Sequence, residues 1–240
     1  DWAEGFGLDV RILDRTAALG AINVTGPQAA TLLARLGLSE PPAYMRHLHA
    51  DVAGVPCHVF RLGFTGEASF ELHHPADRSV ELWRALLDAG RDLGCRPHGL
   101  DALLALRLEK GHIVHGMDTD FDSTPRRLDM AWAARRDKPD FVGRHALQRV
   151  DAEPLDRQLV GLVLDADVDV PVEGSVLLHD GAFVGHVTSA RRSHVLGHPV
   201  ALAWLRLVDG ALPEAVTIHG STARRVPLPF YDREGARARA

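Results

Sequence analysis

Near residue 150 the apolar pattern of this chain changes period, and that change limits what it can fold into. Beyond it, "LVGLVL", "SVLLHDGAFVGHVTSA", "HPVALAWLRLV" and "EAVTIHGSTARRVPL" are short strand-like runs. Turn signals such as Asp180-Gly181 and Asp209-Gly210 separate them, at the spacing of a small barrel or sandwich. No helical spacing is read after residue 150. Before it, strands and helices mix. "LDVRILDRT" (8–16) and "AALGAINVTGP" (17–27) read as strands. Residues 43–75 read as an antiparallel meander broken at Ala53-Gly54 and Thr65-Gly66. "PQAATLLARLGL" reads as a short helix opened by Pro27 and closed near Gly37. A second helix is expected from about Asp77 to Leu93, its stripe made of Val80, Trp83, Leu87 and Gly90. A third is expected from about His98 to Lys110, with Leu100, Leu103, Leu104 and Leu108 inward and Gly111 as its stop. The expected class is α+β. An antiparallel-sheet and helix domain occupies residues 1–150, and a small all-β barrel domain follows at 151–240, with the polar "VDAEPLDRQ" at the boundary.

The bulk numbers exclude more than they assign. A net charge of −5 provides no basic field for nucleic acid. No apolar run reaches the roughly 18–20 residues of a membrane span. The two cysteines, Cys57 and Cys95, stand in no metal or redox spacing and read as reduced thiols of a cytoplasmic protein. The first residues, "DWAEGFG", carry no initiator Met and no signal peptide, so the chain reads as a piece of something longer.

Four groups of residues could carry chemistry. In "RLGFTGEASFELHHPAD" (61–77), alternation sends Phe70 and Leu72 to one face and Glu67, Ser69, Glu71 and His73 to the other. Two readings fit: a solvated strand face, or carboxylates waiting for a ligand with adjacent N–H donors, as on an aminopyrimidine or pterin ring. Arg107 lies on the apolar side of its helix and needs a carboxylate, either in a core ion pair or as the support of a site. Asp118, Asp120 and Asp122 form an acidic loop, solvated or part of a site. Counted as a calcium loop, it has Ser123 where glycine belongs and Asp129 where glutamate belongs. The histidine pairs His47/His49 and His73/His74 come with no metal-ligand spacing, so no metal is expected. G-x-G-x-x-G, the P-loop and H-E-x-x-H are all missing.

"LGFTGEASFEL" resembles the signature G-[YF]-[TS]-G-E-x-[GS]-[FY]-E of the folate-binding aminomethyltransferase family, the glycine-cleavage T-protein and its relatives. The resemblance continues in order through "GLDALLALRLEKG", "DTDFDSTPRRLDMAWA", "KPDFVGRHAL", "GHVTSARRSHVLGHPVALAWL" and "PFYDREGARA". "EKGHIVHGMDTDFDSTP", "KPDFVG", "GHVTSA" and "FYDREGAR" most resemble the C-terminal region of the heterotetrameric sarcosine oxidase alpha subunit.

The resemblance implies a tetrahydrofolate-binding module that captures an amine-derived carbon as 5,10-methylenetetrahydrofolate. FAD and NAD would sit on other domains or on sarcosine-oxidase-type partner subunits. Glu71 would hold the pterin and Glu67 would shape the turn. Phe64, Phe70 and Trp132 would line the ring, with Arg107 as support. Two departures stand out. Leu103 occupies the position of a family arginine that contacts folate, and the family's catalytic aspartate falls in a segment before Asp1. No catalytic residue is therefore assigned, and little turnover is expected of the chain alone. A non-catalytic folate-binding module and a folate-dependent demethylase are the alternatives.

Overall fold

A computed structural model describes residues 5–135 and 137–240. The chain divides into two compact units. The first comprises residues 1–63, 67–97 and 238–240, and the second comprises residues 64–66 and 98–237. In sequence, the first unit gives way to the second at Pro97–His98. No described helix is long and apolar enough to cross a membrane.

The first unit contains β1 (Leu19–Thr25), α1 (Ala29–Arg35), β2 (His47–Val52), β3 (Val55–Phe60), β4 (Ser69–Pro75) and α2 (Ser79–Ala89). The strands form one antiparallel sheet in the order β1-β4-β3-β2, as the meander pattern predicts. Ala53 (φ 54°) and Gly54 (φ 76°) make the tight β2–β3 turn, both in the left-handed region that a two-residue hairpin demands. One face of the sheet packs on the helices. Val24, Val52, Val55, Val59, Phe70 and Leu72 meet Leu32, Leu33, Leu82 and Leu86 in a single core. Cys57 lies in the same core, and burial pushes its thiol pKa up to about 11.

Two expectations fail in this unit. "LDVRILDRT" forms no strand: Leu8 is 58% exposed and Ile12 85%. Alternation makes a strand only where a neighbouring ladder accepts the backbone N–H and C=O groups. Among the described strands none pairs with residues 8–16. In α2 the inward stripe runs through Leu82 and Leu86, with Ala89 and Leu93 packed beside it. Val80 and Trp83 face solvent. The two stripes are rotated by about one residue, and the one carrying the leucines is buried.

The second unit contains α3 (Leu100–Glu109), α4 (Arg144–Ala152) and the strands β5 (Arg157–Leu164), β6 (Val176–His179), β7 (Ala182–Arg192), β8 (Pro199–Arg206), β9 (Ala215–Ile218) and β10 (Ser221–Val226). The strands close into a six-stranded barrel in the order β10-β5-β8-β7-β6-β9. Closure leaves the sheet without free edges. Asp180-Gly181 and Asp209-Gly210 take positive φ at both residues, as the turn signals require. At Gly185 in β7 a Cβ would collide with the carbonyl oxygen of Trp204, so only glycine fits that crossing. A short helix, α5 (Ala236–Arg239), ends the chain where no helical spacing was read.

The leucine stripe expected for α3 holds in part: Leu108 is fully buried and Leu103 and Leu104 are half-buried, but Leu100 is 76% exposed, and the buried turn is Arg107-Leu108-Glu109. Charged residues lie inside because the surrounding chain supplies their partners.

The stripe assignment in α2 predicts unequal losses. Leu82→Ala should lower unfolding stability by about 2–5 kcal/mol. Val80→Ala should stay within about 0.5 kcal/mol of the parent. Urea denaturation of the two variants decides between the stripes, and equal losses would restore the one through Val80.

Candidate functional site

β4 is an inner strand, and its two neighbours fix its register. Glu71 pairs with Asn23 on β1 and with Phe60 on β3. With Phe70 and Leu72 in the core, Glu71 and His73 must emerge on the opposite, open face. The Glu71 side chain is 38% exposed, and its Oε2 lies 3.3 Å from His73 Nε2. That single side-chain contact leaves most of the carboxylate's acceptor capacity available. Glu67 lies half-buried in the turn that leads into β4, one residue after Gly66 (φ 82°).

Phe70 is fully enclosed in the core, on the face away from Glu71. Alternation assigns it that place, and enclosure there is at odds with its other expected role against a ligand ring. The guanidinium of Arg61 lies 5.5 Å from the centre of the Phe70 ring.

The other expected residues belong to the second unit. Phe64 is 36% exposed, and its ring stacks on His112 with centroids 5.4 Å apart. His112 Nδ1 lies 3.0 Å from the Phe64 carbonyl oxygen, which fixes the segment. Trp132 stands in a single 3-10 turn, Ala131–Ala133, and is 75% exposed. Of the six expected residues, Glu71, Glu67 and Phe70 therefore lie in one unit and Phe64, Trp132 and Arg107 in the other.

Arg107 finds the carboxylate it requires. Its Nη1 donates to Asp118 Oδ2 at 2.7 Å and to the His112 carbonyl at 2.9 Å, and its Nη2 donates to Ser189 Oγ at 2.6 Å. Asp118 in turn accepts from Val114 N at 2.8 Å and from the hydroxyls of Thr188 and Ser189, both at 2.6 Å. Four donors around one fully buried carboxylate replace the water it has lost. The acidic loop thus separates into different roles. Asp118 is a core group. Asp120 lies at the surface and receives Arg157 Nη2 at 2.9 Å. Partial burial works to raise the Asp120 carboxyl, but Ser123 and Arg157 outweigh it and hold the group below the usual carboxylate range. Asp118, Thr188 and Ser189 were not singled out as the partners of Arg107. The available signal was the unpaired arginine, which demanded an acid nearby in the fold.

Glu109, two residues on, is enclosed as well. It is 1% exposed, and its Oε1 accepts from Ser193 Oγ at 2.6 Å and Val195 N at 3.2 Å, holding the β7–β8 loop. Among the described residues, no group of three or more His, Cys, Asp or Glu side chains is placed to hold a metal ion.

Removing one member of the buried pair strands the other. Asp118→Ala should cost about 3–5 kcal/mol of stability, measured by denaturant unfolding. A loss below about 1 kcal/mol would mean that the pair is solvated.

Residues 1–138 match the family described as "GCVT N-terminal domain", and residues 157–232 match the "Glycine cleavage T-protein C-terminal barrel domain". An aminomethyltransferase of Synechococcus sp. (strain RCC307) is 38% identical over 237 residues, which cover 94% of this chain and 64% of that protein. The human mitochondrial dimethylglycine dehydrogenase is 34% identical over 205 residues, 83% of this chain and 24% of that protein. The crystal structure of the glycine cleavage system aminomethyltransferase T from Bartonella henselae superposes with a TM-score of 0.76 at 28% identity, covering 90% of this chain and 60% of that one. The chain spans about half to two thirds of the length of the curated aminomethyltransferases it matches. It belongs to the folate-binding aminomethyltransferase family, that of the glycine-cleavage T-protein.

Proposed function

We propose that this chain is the tetrahydrofolate-binding, one-carbon transfer module of an aminomethyltransferase-like or sarcosine-oxidase-alpha-like protein. The observation that carries the reading is Glu71, a half-exposed carboxylate that an inner strand holds on the open sheet face, at the second glutamate of the family signature. A carboxylate there accepts two adjacent N–H bonds from a pterin edge, each stronger than a neutral pair. Phe70 keeps a packing role in this reading.

Catalysis in such a module is mostly positioning. Folate N5 and N10 are the nucleophiles, and holding them beside an electrophilic imine removes most of the entropic cost of the encounter. The product in this reading is 5,10-methylenetetrahydrofolate. Amine oxidation would take place on domains or partner subunits that carry FAD and NAD. The likeness to dimethylglycine dehydrogenase favours an oxidase-linked arrangement of this kind.

Isothermal titration with tetrahydrofolate tests the assignment. Glu71→Gln should weaken binding by roughly 10–100-fold, the worth of a hydrogen bond to a charged group. If Glu71→Gln binds as tightly as the parent, the pterin contact lies elsewhere.

A further inference from the structure

The open face of the four-stranded sheet carries a second group of side chains, independent of the folate reading. His47 and His49 are two residues apart on β2 and therefore share a face. His49 pairs directly with His58 on β3, and His58 pairs with His73 on β4. His58 Nε2 lies 2.7 Å from His47 Nδ1, with the ring centroids 4.8 Å apart and the planes at 68°. The His49 ring stacks on His58 at 4.0 Å with the planes at 21°, and the Phe60 ring lies 4.0 Å from His58, tilted by 39°. His58 thus touches two rings, with one nitrogen directed at His47.

Two neutral imidazole nitrogens this close share at most one proton. Their other capability is metal ligation. Metal–nitrogen bonds of about 2.0 Å meeting at a right angle place their donors about 2.8 Å apart, whereas a tetrahedral angle needs about 3.3 Å. The observed 2.7 Å is that of a hydrogen-bonded pair, so the two nitrogens already stand about as far apart as the right-angled arrangement needs, and a metal would replace the shared proton after a small rotation of the rings. A cavity of about 430 Å³ at the ends of the strands is lined in part by His49, Asp51, His58 and His73, and His47 stands outside that lining.

We propose that His47 and His58 form a two-imidazole chelate for a divalent d-block cation of tetragonal preference, copper(II) first and nickel(II) next, with water in the remaining positions. The two ligands lie on adjacent hydrogen-bonded strands, so the chelate is set by the sheet and not by a loop. His49 is a positioning residue that fixes the orientation of the His58 ring by stacking.

Titration of the 240-residue chain with CuCl2, NiCl2 and ZnCl2 in a non-coordinating buffer tests this. One site per chain is expected, with copper(II) bound most tightly and nitrogen hyperfine coupling from two imidazoles in its electron paramagnetic resonance spectrum. His47→Ala and His58→Ala should each weaken copper binding at least tenfold, and His145→Ala should leave it unchanged. If the His58 variant fails to fold, His47→Gln on the edge strand β2 gives the same reading, since its ring is exposed. Copper binding to the His47→Ala/His58→Ala variant as tight as to the parent would overturn the proposal. So would a parent spectrum lacking coupling to two imidazoles.

Discussion

The first unit depends on the register of β4. This strand is hydrogen-bonded on both sides, to β1 through seven pairs and to β3 through three. A slip of one residue would turn Phe70 and Leu72 out to water and bring Glu71 and His73 into the core. The burial of two large apolar side chains, each worth roughly 1.5–3 kcal/mol, forbids it. The exposure of Glu71 is therefore a consequence of packing on the other side of the strand. His74, which shares the inward face, is tolerated there because its ring nitrogens reach the Leu72 carbonyl and Ser79 Oγ, each at 2.9 Å. The same pleat places His58 and Phe60 on the open face next to β4, so one constraint sets both the carboxylate and the imidazole cluster.

The second unit is organised by a charge instead. Arg107 and Asp118 are among its most buried residues, and each has several hydrogen-bonding partners. Such a pair adds less to net stability than apolar groups of equal volume often would. It does fix geometry: α3, the 112–118 turn and the β7 residues Thr188 and Ser189 all meet at one carboxylate. β7 carries a register shift between Val187 and Ser189, next to Thr188. A bulge re-aims side chains, and here neighbouring hydroxyls reach the same oxygen of Asp118.

Much of this was legible in the sequence. The meander, the closing turns at Asp180-Gly181 and Asp209-Gly210, and the barrel all follow from short-range pattern, because two-residue turns and alternation are local properties. The outward position of Glu71 was legible for the same reason. What failed depended on partners distant in sequence. "LDVRILDRT" has strand patterning, but no described strand pairs with it. The α2 stripe was misplaced because Val80 and Trp83 compete with Leu82 and Leu86, and only the sheet they meet decides between them. Asp118 looked like its acidic neighbours, since nothing local distinguishes the aspartate that Arg107 and two β7 hydroxyls will enclose.

The central claim is that the open face of β4 receives the pterin. The most direct test is amide chemical-shift mapping of the isotope-labelled chain as tetrahydrofolate is added. The account predicts the largest changes at Ser69–His73 and at Phe60, which pairs with Glu71. Changes confined to the barrel strands, with β4 unmoved, would contradict it.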